Sequence, residues 1–348
     1  MSDIKKYRYL IVVMIVYYAV FFGTDKIFRL SGSASYILSL CLTVVCALVY
    51  STLYQGQSAK VLWSENTRPD IRVIIGVILL VSALVQSVAV CSYSTKSIAE
   101  VFMKKSPFAY ILTFVLFPTL FGAYFGIKSV SRYSLVGGIG ILFVIALILV
   151  FAFEDYSIEN MYPLLGKGLP SFSSILLPLS LFSNIIYLYV LHGYKNSQGD
   201  IKSETQKIIL ISGAVFIAIS LICSLTVPHE ALGHWHDPLL YVASTVDFRF
   251  AVERSEALVF VVWIFMSFLT LSSLMTFVCT IAYHTFCLSN RKAIIGALAL
   301  IVASFSLLID KYSAAESLMS FSLLWTGAVS IAIPLALRLV SKIRKEQP

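Results

Sequence analysis

Runs of about twenty apolar residues follow one another along this chain, each closed by a short polar stretch that carries charge, proline or glycine. A helix needs about twenty residues to cross the ~30 Å hydrocarbon core of a bilayer. Ten such runs can be marked, at about 7 to 28, 34 to 54, 71 to 94, 108 to 127, 134 to 153, 172 to 192, 207 to 227, 256 to 286, 292 to 310 and 316 to 338. The pattern predicts an all-α polytopic membrane protein with ten transmembrane helices in a single transmembrane domain, 1–348.

One run departs from the pattern. Between Pro170 and Tyr194, Ser173, Ser174, Pro178, Ser180, Ser183 and Asn184 stand where lipid favours only hydrocarbon. Unpaired backbone groups are costly in a bilayer core, so such residues are tolerated mainly where they face protein or a water-filled cavity. The stretch reads as a broken helix near Ser183 and Asn184, although a proline-kinked helix whose serines bond to their own carbonyls fits the same residues. Five runs precede it and four follow. It therefore opens the second half of a five-plus-five inverted repeat, with the first repeat at about 7–153 and the second at about 172–338, and such folds place a discontinuous helix at the binding site.

Polar residues elsewhere mark the same centre. Gln86 in the third run needs a partner, from a neighbouring helix or from a ligand. The eighth run carries Trp263, Ser267, Thr270, Ser272, Ser273, Thr276 and Thr280, which suits a helix inside the bundle. The first run holds Tyr17, Tyr18, Gly23 and Thr24, and Pro118 with Gly122 predicts a kink in the fourth. Candidate ligand-binding residues are Ser183, Asn184, Gln86, Trp263, Ser267 and Tyr18, around a small neutral or zwitterionic solute.

Composition sharpens this picture. The chain is 59% hydrophobic and 13% charged with mean hydropathy +0.88, which excludes a soluble domain of this length. The net charge of +8 suggests nucleic acid until it is sorted by loop. One side of the ten-run topology holds 17 Lys/Arg against 6 Asp/Glu, and the other holds 9 against 12. That asymmetry is a topology signal, and it puts both termini in the cytoplasm. A signal peptide is disfavoured for the first run because Asp25, Lys26 and Arg29 sit where a cleavage region is small and neutral. The six cysteines all lie in apolar runs without metal-ligand spacing and read as buried hydrophobes.

The long outer loop clusters His229, Glu230, His234, His236 and Asp237 without a regular four-ligand set, so a solvated loop is preferred to a zinc site. Asp237 and Pro238 then start an amphipathic outer segment at about 237–250. Glu253 and Arg254 read as architecture at the start of the eighth run. No catalytic motif or intramembrane carboxylate pair is present, which argues against an enzyme and weakens a proton pump. No metal and no cofactor are expected.

Ser131-Arg132 before the fifth run, Pro163-Leu164-Leu165-Gly166-Lys167-Gly168 before the sixth, and Phe250, Glu253-Arg254-Ser255-Glu256 leading to Trp263-Ile264 are similar to the GerB-type spore germination permeases, the B subunits of bacterial spore germinant receptors. The resemblance covers nearly the whole chain. It implies a LeuT-like fold of the amino acid, polyamine and organocation transporter superfamily, and a subunit in the inner membrane of a spore that senses a germinant such as an amino acid. It further implies an A subunit and a C-subunit lipoprotein as partners, with membrane lipid around them. That family's first helix carries G-x-G-x-x-x-x-P, whereas Ala19, Phe21 and Lys26 stand at the matching places here, so an unwound and a continuous first helix both remain open. An amino-acid or proton symporter and a ligand-free structural partner are the competing functions.

Overall fold

A computed structural model describes residues 3–54, 69–151, 153, 156–164, 166–168, 171–195, 201–228, 231, 238–245, 256–286 and 291–345. The first apolar run forms α1 (Asp3–Tyr18), a π-helical turn at Ala19–Gly23 and α2 (Thr24–Ser31). A 3-10 turn at Gly32–Ala34 then reverses the chain into α3 (Ser35–Leu53). Gly32 makes the reversal possible, with φ 60° and ψ −128°. There follow α4 (Pro69–Val101), α5 (Phe108–Phe125), α6 (Ile127–Phe151), α7 (Phe172–Ser180), α8 (Ile185–Lys195), α9 (Ile201–Thr226), α10 (Pro238–Thr245), α11 (Glu256–Phe286), α12 (Arg291–Lys311) and α13 (Ala315–Lys345). The described residues contain no strand. Eight apolar helical stretches are long enough to cross a membrane, and the 47-residue stretch Tyr7–Leu53 turns back at Gly32 to make two crossings. With the shorter apolar pair α7 and α8, the described residues provide ten apolar stretches that can cross a membrane.

Several helices outrun their apolar windows. α4 starts at Pro69 and ends at Val101, α9 starts at Ile201 and α13 continues to Lys345. Backbone hydrogen bonding does not stop at the hydrocarbon boundary, so a helix continues into its polar flanks until something breaks it. α6 starts at Ile127, directly after Gly126 at φ 79° ends α5, so Lys128 and Arg132 lie in its first turns instead of in a loop.

Burial sorts the spans into a centre and a wall. Every residue from Leu10 to Asp25 is buried, as is every residue from Ser180 to Leu188. α4 from Gln86 to Ser92 and α11 from Leu269 to Ala282 are equally enclosed. The first, third, sixth and eighth spans therefore form the inside. α3, α5, α6, α12 and α13 carry most of the exposed large hydrophobics, among them Leu48, Phe117, Val136, Leu300 and Phe321, and α4 and α11 show others outside their enclosed stretches, such as Ile74 and Val261. Such faces are the lipid side of a membrane bundle.

Ion pairs hold both ends of the first span. Arg8 donates to Glu204 on α9 through two bonds, Nε to Oε2 at 2.8 Å and Nη2 to Oε1 at 2.9 Å. At the far end Arg29 Nε donates to Asp25 at 2.6 Å, and Lys26 pairs with Glu316 at the start of α13. The Pro163 to Lys167 loop is bound to the same far end. Ser33 Oγ donates to the Pro163 carbonyl, the Lys167 amide to Ser31 O at 3.2 Å and Lys167 Nζ to Arg29 O at 3.3 Å. α10 packs Leu239, Val242 and Ala243 inward and runs against α2, α9 and α11. Pro170, the histidine cluster, residues 246–250, Glu253, Arg254 and Cys287 lie outside the described residues.

Candidate functional site

The sixth span is interrupted where its polar residues predict. α7 ends at Ser180, and Leu181 to Asn184 form a turn with i to i+3 bonds, such as Ser183 N to Ser180 O at 3.0 Å and Ile185 N to Phe182 O at 3.2 Å. The sulfhydryl of Cys46 points to the Leu179 carbonyl at 3.7 Å. Two of the serines in this span bond back, Ser180 Oγ to Leu177 O and Ser174 Oγ to Ser171 O, so both readings of the stretch hold in part.

The first span bulges at the same depth without breaking. Its π-turn loosens the backbone ladder, and side-chain hydroxyls take up the carbonyls: Thr24 Oγ1 donates to Ala19 O at 3.0 Å and Tyr93 OH to Phe21 O at 2.9 Å. Gly23 permits close approach to the sixth span, because a Cβ there would collide with Leu181. The two irregular segments thus face each other across a close contact between Gly23 and the Leu181 side chain.

Beside them three polar side chains form a chain of bonds. Tyr187 OH donates to Gln86 Oε1 at 2.8 Å, and Gln86 Nε2 donates to Asn184 Oδ1 at 2.9 Å. Among the thirteen buried side-chain polar atoms of the described residues that lack a partner are Asn184 Nδ2, Ser183 Oγ, Tyr18 OH and Trp263 Nε1. Buried polar atoms are almost always bonded, and Asn184 Nδ2 and Ser183 Oγ, on adjacent residues of the turn, both lack a partner. Aromatic rings complete the enclosure. Tyr187 stacks on Phe277 with centroids 4.6 Å apart, and Phe21 stacks on Trp263 at 5.4 Å. Tyr17 meets Tyr18 edge-on at 5.4 Å and shares a 2.8 Å bond with Ser94 Oγ.

All six residues singled out from the sequence are interior, with none more than 1% exposed. Gln86 and Asn184 are bonded to each other, Ser183 adjoins Asn184 in the turn, and Tyr18 packs edge-on against Tyr17 in the first span. Trp263 stands to one side behind Phe21. Ser267 donates to the Trp263 carbonyl at 2.8 Å, within its own helix. Sequence reasoning missed Tyr187, Phe277 and Phe21. Tyr187 was legible, since it stands three residues after Asn184 on one helical face. Phe21 and Phe277 gave no signal among so many apolar neighbours.

The site's polar atoms are amide, hydroxyl and indole groups, and the ion pairs described above sit at the ends of the spans. Among the described residues no group of three His, Cys, Asp or Glu could hold a metal. Two grooves open on the wall, of about 370 Å³ beside Phe117, Phe121 and Phe265 and about 300 Å³ beside Val45, Leu176 and Leu324, and neither is lined by a candidate residue. The centre is a buried, uncharged set of amide, hydroxyl and indole groups walled by aromatic rings.

A family model for spore germination proteins matches residues 37–314. The chain belongs to that family. Among solved structures, this spore germination protein is similar to a Na+-coupled sialic acid symporter in a substrate-bound outward-open state, with TM-score 0.63 and 12% sequence identity, over 95% of this chain and 77% of that one. At that identity the likeness shows the fold, the LeuT-like polytopic all-α bundle. No curated protein matches the sequence. The spore germination protein thus combines a transporter fold with a first span that bulges and a sixth that breaks.

Proposed function

We propose that this protein is the germinant-sensing subunit of a spore germination receptor, and that it binds a solute of amino-acid size between the first, third, sixth and eighth spans. The observation that carries the reading is the orphan Nδ2 of Asn184, fully buried beside the break in the sixth span and next to Ser183 Oγ, also without partner. The break supplies the rest. The end of α7 and the start of α8 bring partial negative and partial positive charge to the same depth, which suits a zwitterion. In this reading the halves 7–153 and 172–338 form an inverted repeat, and both termini are cytoplasmic at the inner membrane of the spore. An A subunit and a lipoprotein C subunit are the partners, and no reaction is catalysed.

A cation-coupled symporter of the same superfamily is the competing reading. The first-span carbonyls of Ala19 and Phe21 each accept one side-chain bond, from Thr24 and Tyr93, and the uptake measurement decides between sensing and cation coupling. The purified chain is expected to bind a radiolabelled L-amino acid saturably. Proteoliposomes are expected not to accumulate it under a Na+ or proton gradient. Gradient-driven accumulation would assign the symporter, and absence of binding across the twenty amino acids would remove the solute reading.

A further inference from the structure

We infer that Tyr187 and Gln86 are positioning residues that fix the polarity of Asn184, so that it presents a donor and selects a solute by an oxygen acceptor, a carboxylate or carbonyl. This rests on the proposed solute site and adds which end of the solute Asn184 holds. An amide can face either way, and its orientation follows from its hydrogen bonds. Here the first bond decides the others. The Tyr187 hydroxyl gives its proton to Gln86 Oε1, which turns Gln86 Nε2 toward Asn184 Oδ1 and leaves Asn184 Nδ2 free. With both amides reversed, Gln86 Nε2 would donate to the Tyr187 oxygen and Asn184 Nδ2 to Gln86 Oε1. The Tyr187 proton and the Asn184 oxygen would then both be bare in a fully buried place. The reversed state leaves three bare groups, the Tyr187 proton, the Asn184 oxygen and one Asn184 N–H, against the two Asn184 N–H groups of the forward one, so the forward direction prevails.

Tyr187 is held for this task by its stack on Phe277, 12° from parallel, and Gln86 and Asn184 are each 0% exposed. Water therefore does not compete for the chain of bonds. The free Nδ2 has no acceptor among the described protein groups, and a solute oxygen supplies one. An ammonium or amine presented at the same point would meet a donor with a donor.

Two measurements test the relay, using the full chain in detergent. In protein labelled with 15N-asparagine, the Asn184 side-chain amide is identified by its loss in Asn184→Ala. Its two protons are expected at the high-field position of an unbonded amide, and Tyr187→Phe, which keeps the Phe277 stack, is expected to move one of them downfield as the amides become free to turn. A native signal already downfield, or one that Tyr187→Phe leaves in place, overturns the relay whether or not any solute binds. Binding is compared for L-alanine against ethylamine and for L-phenylalanine against phenethylamine, pairs that differ by the carboxylate. The native chain is expected to prefer the acid of the better-bound pair, and Tyr187→Phe to reduce that preference about tenfold while the melting temperature stays near native. An unchanged preference overturns the selection. If neither pair binds, the amino-acid reading fails, and the amide spectrum still decides the relay.

Discussion

Glu204→Ala is expected to destabilise the bundle by about 3 kcal/mol, the lower end for breaking a buried ion pair. Arg8 is clamped by both carboxylate oxygens, and the side chains are 18% and 7% exposed, so alanine leaves a guanidinium facing α9 with little water to replace its partner. Lys207, 3.5 Å from the same carboxylate, would add repulsion once the acid is gone. The half-loss temperature of folded protein in detergent is the readout. The double variant Arg8→Met with Glu204→Leu is expected to recover most of the loss, because a pair replaced by packed apolar groups leaves no bare charge. A single variant that melts with the native chain would place this contact among the weak surface pairs.

Gly166→Ala is expected to lift the Pro163 to Lys167 loop from the end of the first span. Its φ is +55°, which alanine tolerates at modest cost, but an added Cβ would collide with the Ser31 carbonyl oxygen, itself the acceptor of the Lys167 amide. Backbone cannot yield as a side chain does, so the bonds to Ser31 and Arg29 are lost together. Hydrogen exchange at the Lys167 amide should rise by about a hundredfold, in line with losing one or two bonds of a few kcal/mol in total. Gly168 is the control. It also has positive φ, at 90°, but a Cβ there meets nothing within 4 Å, so Gly168→Ala isolates the conformational cost. Equal exchange in the two variants would show that the collision does not matter.

The fold was legible because lipid makes the apolar run a direct record of each crossing, and because Ser183 and Asn184 have no place in such a run unless they face the protein interior. Gln86 was legible for the same reason. The π-turn at Ala19–Gly23 was not, since five apolar or small residues read the same whether the helix is regular or widened. What decides it is tertiary: Tyr93 reaches Phe21 O from α4 and Leu181 approaches Gly23 from the sixth span. The missing glycine pattern at Ala19, Phe21 and Lys26 left the first span open between unwound and continuous, and the structure settles it as continuous with a bulge. The Pro163 to Lys167 motif carried a resemblance without a mechanism. Its glycine and lysine bind the end of the first span, a contact between residues more than a hundred positions apart that no local spacing encodes.

The most direct measurement of the central claim is a nutrient dose-response curve for spores carrying Asn184→Leu, paired with an immunoblot of the same spores. A buried amide bonded to solute contributes ~1 to 3 kcal/mol, so the half-effective concentration is expected to rise by about one to two decades while the protein level stays near native. If Asn184 instead serves only to join the sixth span to Gln86, the level of protein falls and the midpoint of the surviving response does not move. That second outcome would contradict a solute site at the break of the sixth span.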